Sequence, residues 1–302
     1  MPPSMPDARS AAVGAPPAAR VIHLESVPML ERAHVRSGVF RSRRLLAGEP
    51  GTPGNFSLQL SHTPDTYFSP RHRHNFDQVR YQLEGEFDFA SDGVMKPGSV
   101  AYFPEGTFYG PQSSGASSLT LVLQFGGASG NGYISAEQYE QAAAELAKLG
   151  SFERGIFIER KADGRRSNKD AYEAVWERVH KRPLVNPPER YLHPVFMMPD
   201  HFGWLPVEGQ AGAFCKSLGE FSERGTRIAF YRLDPGATLR LAAHSIYFSV
   251  QGAGRIGEQE FGERATIHTI AAENAGPGDS GPVCVSSGKG LELFHIGLPR
   301  FR

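Results

Sequence analysis

The chain has 302 residues, which is enough for two domains of ordinary size. Lysine plus arginine and aspartate plus glutamate number 32 each, so the formal net charge is zero, and the composition indicates neither nucleic acid nor an anionic membrane as a partner. The two cysteines, Cys215 and Cys284, argue against a disulfide framework and fit a reducing compartment. Because the sequence shows neither a stretch of roughly 18 apolar residues nor the apolar core of a signal peptide, a cytoplasmic protein is expected.

The N-terminal part of the chain divides into a tail and a unit with a β pattern. Residues 1–20 are rich in Pro, Ala and Ser, which predicts a disordered tail. Residues 21–134 carry short apolar segments separated by Gly and Pro turns, as a β-barrel requires. Between residues 56 and 61, Phe and Leu alternate with Ser and Gln, which predicts a half-buried strand. Residues 118–125 alternate in the same way and predict the strand that closes the unit.

Two histidines of the first unit have the spacing of a metal-ligand pair. His72 and His74 are two residues apart, so both side chains leave the same face of a β-strand. Gln78 has the same parity, and Gly85 ends the strand. Two imidazoles on one face are suitable ligands for a transition metal.

A second segment supplies a turn followed by a tyrosine. Gly98 opens the segment, Pro104 and Gly106 form the turn, and Tyr109 follows three residues later. A phenol, with an ordinary pKa of about 10, can ligate a metal as phenolate or remain protonated. In the second case it serves as an acid, a base or a hydrogen-bonding group for a substrate.

The two segments together resemble the two motifs of the cupin superfamily. The first family motif is His-x-His, three or four residues, Glu, six residues and Gly, and Gln78 stands here where the family usually has Glu. The second is Gly, five residues, Pro-x-Gly, two residues and His, and Tyr109 stands where the family usually has His. The resemblance implies a jelly-roll β-barrel with a divalent transition metal, Fe(II) in the first place and Mn, Ni, Cu or Zn as alternatives. The implied ligands are His72, His74, Gln78 and Tyr109.

The same strand parity predicts an arginine inside the barrel. If Gln78 points inward, so do Arg80 and Gln82. A buried guanidinium needs an anionic partner, so Arg80 is expected to bind a carboxylate or enolate group of a ligand in a bidentate manner. The alternative is that Arg80 lies on a solvated face or pairs with Asp77 or Glu84.

Residues 135–183 change to a helical pattern and are predicted to connect two barrels. Ser135 and Gln138 have the spacing of a capping box at the start of a helix that stops at Gly150. A second helix is predicted after Ser167, with apolar residues at helical spacing and a proline at its end.

Residues 184–302 return to a β pattern and predict a second barrel without a metal site. Gly252 and Gly254 are two possible counterparts of Gly85. Neither alignment places a histidine pair where the first barrel has one. The residues at the three ligand positions are Leu239, Leu241 and Ser245 in the first alignment, and Leu241, Ala243 and Tyr247 in the second.

The sequence thus predicts an all-β chain with two cupin (jelly-roll β-barrel) domains joined by a short helical segment. The first functional hypothesis is a metal-dependent enzyme of the dioxygenase type that acts on a small oxygenated or carboxylated organic molecule. In this hypothesis Tyr109 and Arg80 are catalytic, and Arg80, Gln82 and Tyr102 contact the substrate. The alternatives are a non-catalytic small-molecule-binding or structural protein, and a metal-free isomerase with Tyr109 and His72 as acid and base. The expected partner is a small molecule, and the fold is compatible with a homodimer.

Overall fold

The computed structural model describes residues 19–34, 38–161, 163–270 and 283–301. The predicted tail lies outside the described residues except for Ala19 and Arg20, which begin the first strand. Most of the regular structure is β-strand, and the main strands form two barrels, each with a seven-stranded and a four-stranded sheet. The predicted all-β fold with two jelly-roll barrels is confirmed.

The strands before the helical segment alternate with turns rich in Gly and Pro. In chain order they are β1 (Ala19–Ile22), β2 (Leu30–His34), β3 (Gly38–Ala47), β4 (Phe56–Thr63), β5 (Phe68–Ser69), β6 (Phe76–Glu84), β7 (Phe87–Asp88), β8 (Val94–Met95), β9 (Val100–Phe103), β10 (Gln112–Ser113) and β11 (Ser118–Gly126).

The predicted helical connector is an insert of two helices and a small antiparallel sheet. Its elements are α1 (Ala136–Leu146), β12 (Gly150–Glu153), β13 (Ile156–Arg160), β14 (Arg166–Asp170) and α2 (Ala171–His180). The capping box of α1 is confirmed, because Ser135 and Gln138 exchange side-chain and backbone hydrogen bonds. The carboxylate of Asp170 caps α2 by accepting two backbone N–H bonds. Neither α-helix in the described part of the chain has the length and apolar character that crossing a bilayer requires.

The remaining strands build most of the second barrel. They are β15 (Val195–Met197), β16 (Leu205–Pro206), β17 (Ala213–Phe221), β18 (Thr226–Leu233), β19 (Thr238–Arg240), β20 (Ser245–Gly252), β21 (Gly254–Ile256), β22 (Gln259–Phe261), β23 (Thr266–Thr269), β24 (Cys284–Ser286) and β25 (Leu291–Gly297).

Each large sheet contains one strand from the other half of the chain. The strand order is β15-β9-β6-β11-β4-β3-β2 in the first barrel and β1-β23-β20-β25-β18-β17-β16 in the second. The structure therefore differs from the expected barrel boundaries, residues 21–134 and 184–302, at both ends. Residues 19–22 pair with β23 of the second barrel, and residues 195–197 pair with β9 of the first. This exchange joins the barrels by backbone hydrogen bonds.

The two large sheets pack against each other through their apolar faces. Leu58 on β4 and Leu121 on β11 belong to the same apolar cluster as Phe230 and Phe294 of the second barrel. The ring of Tyr81 on β6 lies with its centroid 5.5 Å from that of Phe230 and 4.9 Å from that of Phe294. This shared core contributes to the stability of both barrels, because it removes apolar side chains of each from water.

The opposite faces of β4 and β11 line the interior of the first barrel. Ser57, Gln59 and Ser61 on β4 point into it, although their alternation with apolar residues predicted a half-buried strand. That prediction was wrong, because β4 is covered on its apolar face by the second barrel and on its polar face by the rest of its own barrel.

The interior of the second barrel is apolar where the first is polar. Gly85 and Gly252 have positive φ angles of 68° and 84°, and each lies against a facing backbone carbonyl, which identifies them as equivalent turn positions. This equivalence supports the alignment that places Leu239 and Leu241 at the histidine positions. Both leucines are buried in an apolar cluster that fills the second barrel.

Candidate functional site

A cavity opens inside the first barrel, between its two sheets and beneath the helical insert. The volume open to the centre of a water molecule is about 160 Å³, which is enough for roughly ten waters. The large sheet contributes polar groups to its wall, from Ser57, Gln59, Ser61, Thr63, Thr120 and Gln124. Aromatic rings come from strand ends, the small sheet and the insert, namely Tyr67, Phe76, Phe87, Tyr133, Tyr139 and Tyr172.

His72 and His74 both border this cavity, with ring centroids 4.9 Å apart. The peptide groups of His72 and Tyr109 exchange two hydrogen bonds, of 3.1 and 2.9 Å, which hold the first motif beside the second. The imidazole of His74 stacks on Phe76 at 4.3 Å and meets the edge of Tyr172 at 5.1 Å. The sequence-predicted histidine pair is therefore assembled on the cavity wall.

Hydrogen bonds define the protonation pattern of His72. Its Nδ1 lies 2.5 Å from the carbonyl oxygen of Pro70, so Nδ1 carries the proton and donates. Its Nε2 then has the lone pair, and the hydroxyl of Tyr109 donates to it at 3.1 Å. The amide nitrogen of Gln78 in turn donates to the Tyr109 oxygen at 2.7 Å. These contacts correspond to the His72 tautomer with its proton on Nδ1.

The orientation of Gln78 follows from its neighbour Arg80. A guanidinium can only donate, so the Gln78 Oε1 accepts from Arg80 at 3.3 Å and also from Gln124 at 3.1 Å. The oxygen that could ligate a metal is consequently directed away from the histidine pair. Gln78 and Tyr109 are almost fully buried and lie behind the cavity wall.

These contacts do not fit the four-ligand metal centre that the family resemblance implies. The Nε2 lone pair of His72 is used by the Tyr109 hydroxyl, and Gln78 presents N–H groups on that side. The set of four implied ligands contains no carboxylate. One of them, Gln78, accepts a hydrogen bond from the guanidinium of Arg80, and the positive charge of this group disfavours a metal cation beside it. Within residues 19–34, 38–161, 163–270 and 283–301, no group of three His, Cys, Asp or Glu side chains is arranged to hold a metal ion.

Arg80 is the cationic group of the inner cavity wall. It donates to the Oε1 atoms of Gln112, at 3.0 Å, and Gln78. Its guanidinium carbon lies 4.9 Å from the ring centroid of Phe103 and 5.3 Å from that of Phe89, within the range of a cation–π contact. Both acceptors are neutral, and among the described residues no carboxylate forms an ion pair with Arg80.

The other two predicted substrate contacts do not border the cavity. Gln82 is fully buried, and its amide bonds to Thr120 and to the carbonyl oxygens of Glu84 and Gly85, so it fastens the end of β6. Tyr102 faces the second barrel because it alternates with the inward Phe103 on β9.

Tyr102 contacts a buried carboxyl group between the barrels, that of Asp77. The Tyr102 hydroxyl donates to Asp77 Oδ2 at 2.8 Å, and the backbone N–H of Glu105 donates to Oδ1 at 2.8 Å. Burial raises the pKa of Asp77 from 3.8 to about 7, and these two hydrogen bonds oppose the rise. Asp77 is thus a structural group, not a contact of the histidine pair.

Two ion pairs border the mouth of the cavity. Arg32 on β2 pairs with Glu140 on α1 at 2.8 Å, and Arg44 on β3 pairs with Glu137 in the first turn of α1. The hydrogen bond from Arg44 lowers the pKa of Glu137, so this carboxylate is ionised.

The sequence did not predict these four residues or the phenols of the insert as part of the site, because they lie far from the histidine motif along the chain. The alternating polar residues of β4 and β11 were the available signal for the interior.

No protein-family model and no curated protein sequence matches the chain. Among solved structures, the chain is similar to a putative dioxygenase from Nostoc punctiforme, with a TM-score of 0.59 and 11% identity over 93% of this chain and 83% of that one. A Geobacillus kaustophilus protein has a TM-score of 0.50 and 16% identity over 93% and 95%. Oxalate decarboxylase from Bacillus subtilis, with Mn(II) centres, has a TM-score of 0.51 and 12% identity over 98% and 81%. At such identities the likeness shows the fold alone, and the chain shares its fold of two β-barrels with these proteins.

Proposed function

We propose that the first barrel binds a small organic anion, with a carboxylate of the ligand paired to Arg80. The observation that carries this proposal is a guanidinium on a cavity wall whose protein partners are neutral amide oxygens. A cation in a partly desolvated site gains most from a bidentate anionic partner, and a carboxylate matches the geometry of its N–H groups.

The rest of the wall supports an anionic, oxygen-rich ligand. Three arginines and one glutamate line the cavity, and a second glutamate, Glu137, pairs with Arg44 at its mouth, which leaves an excess of one positive charge. Hydroxyl and amide groups of Ser57, Gln59 and Ser61 can bond to oxygen atoms of the ligand. The binding role needs no metal, because Arg80 supplies the positive charge.

The proposal is tested by calorimetric titration of chelator-treated protein with a panel of small carboxylates and their neutral amides. Arg80→Met should weaken carboxylate binding by about 30- to 1000-fold, since removing one partner of a desolvated charge pair costs roughly 2–4 kcal/mol. Arg240→Met, on the exposed side of β19, is the matched control and should bind as the unaltered protein does. Equal binding of acids and amides, or unchanged affinity in Arg80→Met, contradicts the proposal.

A metal-dependent oxidoreductase of the dioxygenase type is the second candidate. The observation that favours it is the pair His72 and His74 side by side on the cavity wall, together with the fold shared with a putative dioxygenase. Its test is elemental analysis of tag-free protein, with melting curves in added Fe(II), Mn, Ni, Cu or Zn. A stoichiometric metal that is lost in His74→Ala establishes this candidate. Protein without metal and without a melting shift refutes it.

A further inference from the structure

One of the two arginines at the cavity mouth, Arg44, lies in register with Arg80. Arg44 on β3 pairs with Gln59 on β4, Gln59 pairs with Val122 on β11, and Val122 pairs with Arg80 on β6. The four residues form one row across the large sheet, and three strand spacings correspond to about 14 Å between the outer backbones. Both arginine side chains border the same cavity. Arg80 and Arg44 therefore lie at the two ends of one elongated site.

The ion pairs at the mouth differ in exposure between their two members. The side chains of Arg32 and Arg44 are 17% and 24% exposed, whereas those of Glu140 and Glu137 are 61% and 65% exposed. A well-solvated carboxylate loses little free energy when it leaves its partner, because water replaces the contact. The enclosed guanidinium groups, in contrast, gain more from an anion that approaches from inside the cavity.

Resting on the proposed function, we propose that the ligand carries two acidic groups. One pairs with Arg80 in the inner part of the cavity, and the second takes the place of Glu137 at Arg44, with Arg32 beside it. The two glutamates of α1 therefore act as internal competitors that occupy the mouth arginines when no ligand is present. The apolar side chain of Val122, between the two ends, faces the body of the ligand.

The test compares dicarboxylates from malonate to pimelate with the monocarboxylates of matching length, in calorimetric titrations of the full chain. The best dicarboxylate is expected to bind at least about tenfold tighter than its monocarboxylate, because it forms a second charge-assisted contact. Arg44→Met should remove this advantage, so that the best dicarboxylate and its monocarboxylate bind with equal affinity. Glu137→Gln should increase the advantage several-fold. Arg41→Met, an exposed arginine of the same strand that does not border the cavity, is the matched control.

The outcomes separate this inference from the proposed function. If monocarboxylates bind through Arg80 and no dicarboxylate binds tighter, the two-ended site is wrong while the Arg80 site stands. If the advantage of dicarboxylates persists in Arg44→Met, the second acid binds elsewhere and the inference is likewise overturned. If no carboxylate binds, the proposed function fails and this inference fails with it.

Discussion

Neighbouring residues on β11 test whether the barrels share one core. Leu121 is 2% exposed and faces the second barrel, whereas Val122 faces the cavity of the first. Leu121→Ala leaves a dry void among packed side chains and should lower the free energy of unfolding by about 2–5 kcal/mol. Val122→Ala loses fewer buried atoms, and the space it leaves joins a cavity that water can fill. Its cost should be at most about 1.5 kcal/mol.

Urea denaturation followed by circular dichroism and by tryptophan fluorescence measures both effects. Trp204 packs against the shared core, while Trp176 lies in the helical insert, so the background Trp176→Phe leaves a single reporter on the shared core. Leu121→Ala should shift the Trp204 transition and the dichroism transition to lower urea by the same amount, without a change in slope. Equal costs for Leu121→Ala and Val122→Ala, or a Trp204 transition that does not move, would refute a core common to both barrels.

Three further predictions concern stability. Because burial raises the pKa of Asp77 from 3.8 to about 7, the folded protein holds a proton that the unfolded chain loses between these values. Asp77 therefore contributes stability that is complete below about pH 4 and is lost as pH rises through 7, by about 4 kcal/mol at most, and Asp77→Asn should flatten this part of a pH–stability curve. Burial lowers the pKa of His295 from 6.5 to about 3, so its contribution has the opposite sign. That stability is lost as pH falls from about 6.5 to 3, and His295→Leu should reduce the loss. Gly252→Ala should lower the melting temperature, because φ is +84° and the added Cβ would lie 2.3 Å from the carbonyl oxygen of Gly290, whereas exposed Gly262→Ala should not.

The inner part of the site was readable from the sequence because strand parity is local. Residues 76–82 continue as one strand, so the direction of Gln78 relative to Arg80 follows from counting by two, whereas His74 precedes the strand. The same rule applied to β9 separates Tyr102 from the inward Phe103, and proximity to the motif was a weaker guide than parity.

The remainder depended on contacts between distant parts of the chain. Alternation on β4 shows that one face is apolar and the other polar, but it does not show that the polar face lines an internal cavity and not the outer surface. The second barrel covers the apolar face, and the helical insert covers the mouth. The strand exchange was equally hidden, because backbone pairing of residues 19–22 with β23 leaves no pattern in either segment alone.

The most direct measurement of the central claim is a crystal structure of the chelator-treated protein with a small carboxylate bound. We predict ligand oxygens within hydrogen-bond distance of the Arg80 guanidinium, with Gln112 and Gln78 still beside it and His72 still bonded to Tyr109. A carboxylate bound outside the first barrel, or one held by an ion between His72 and His74 with Arg80 still on its two amides, would contradict the account.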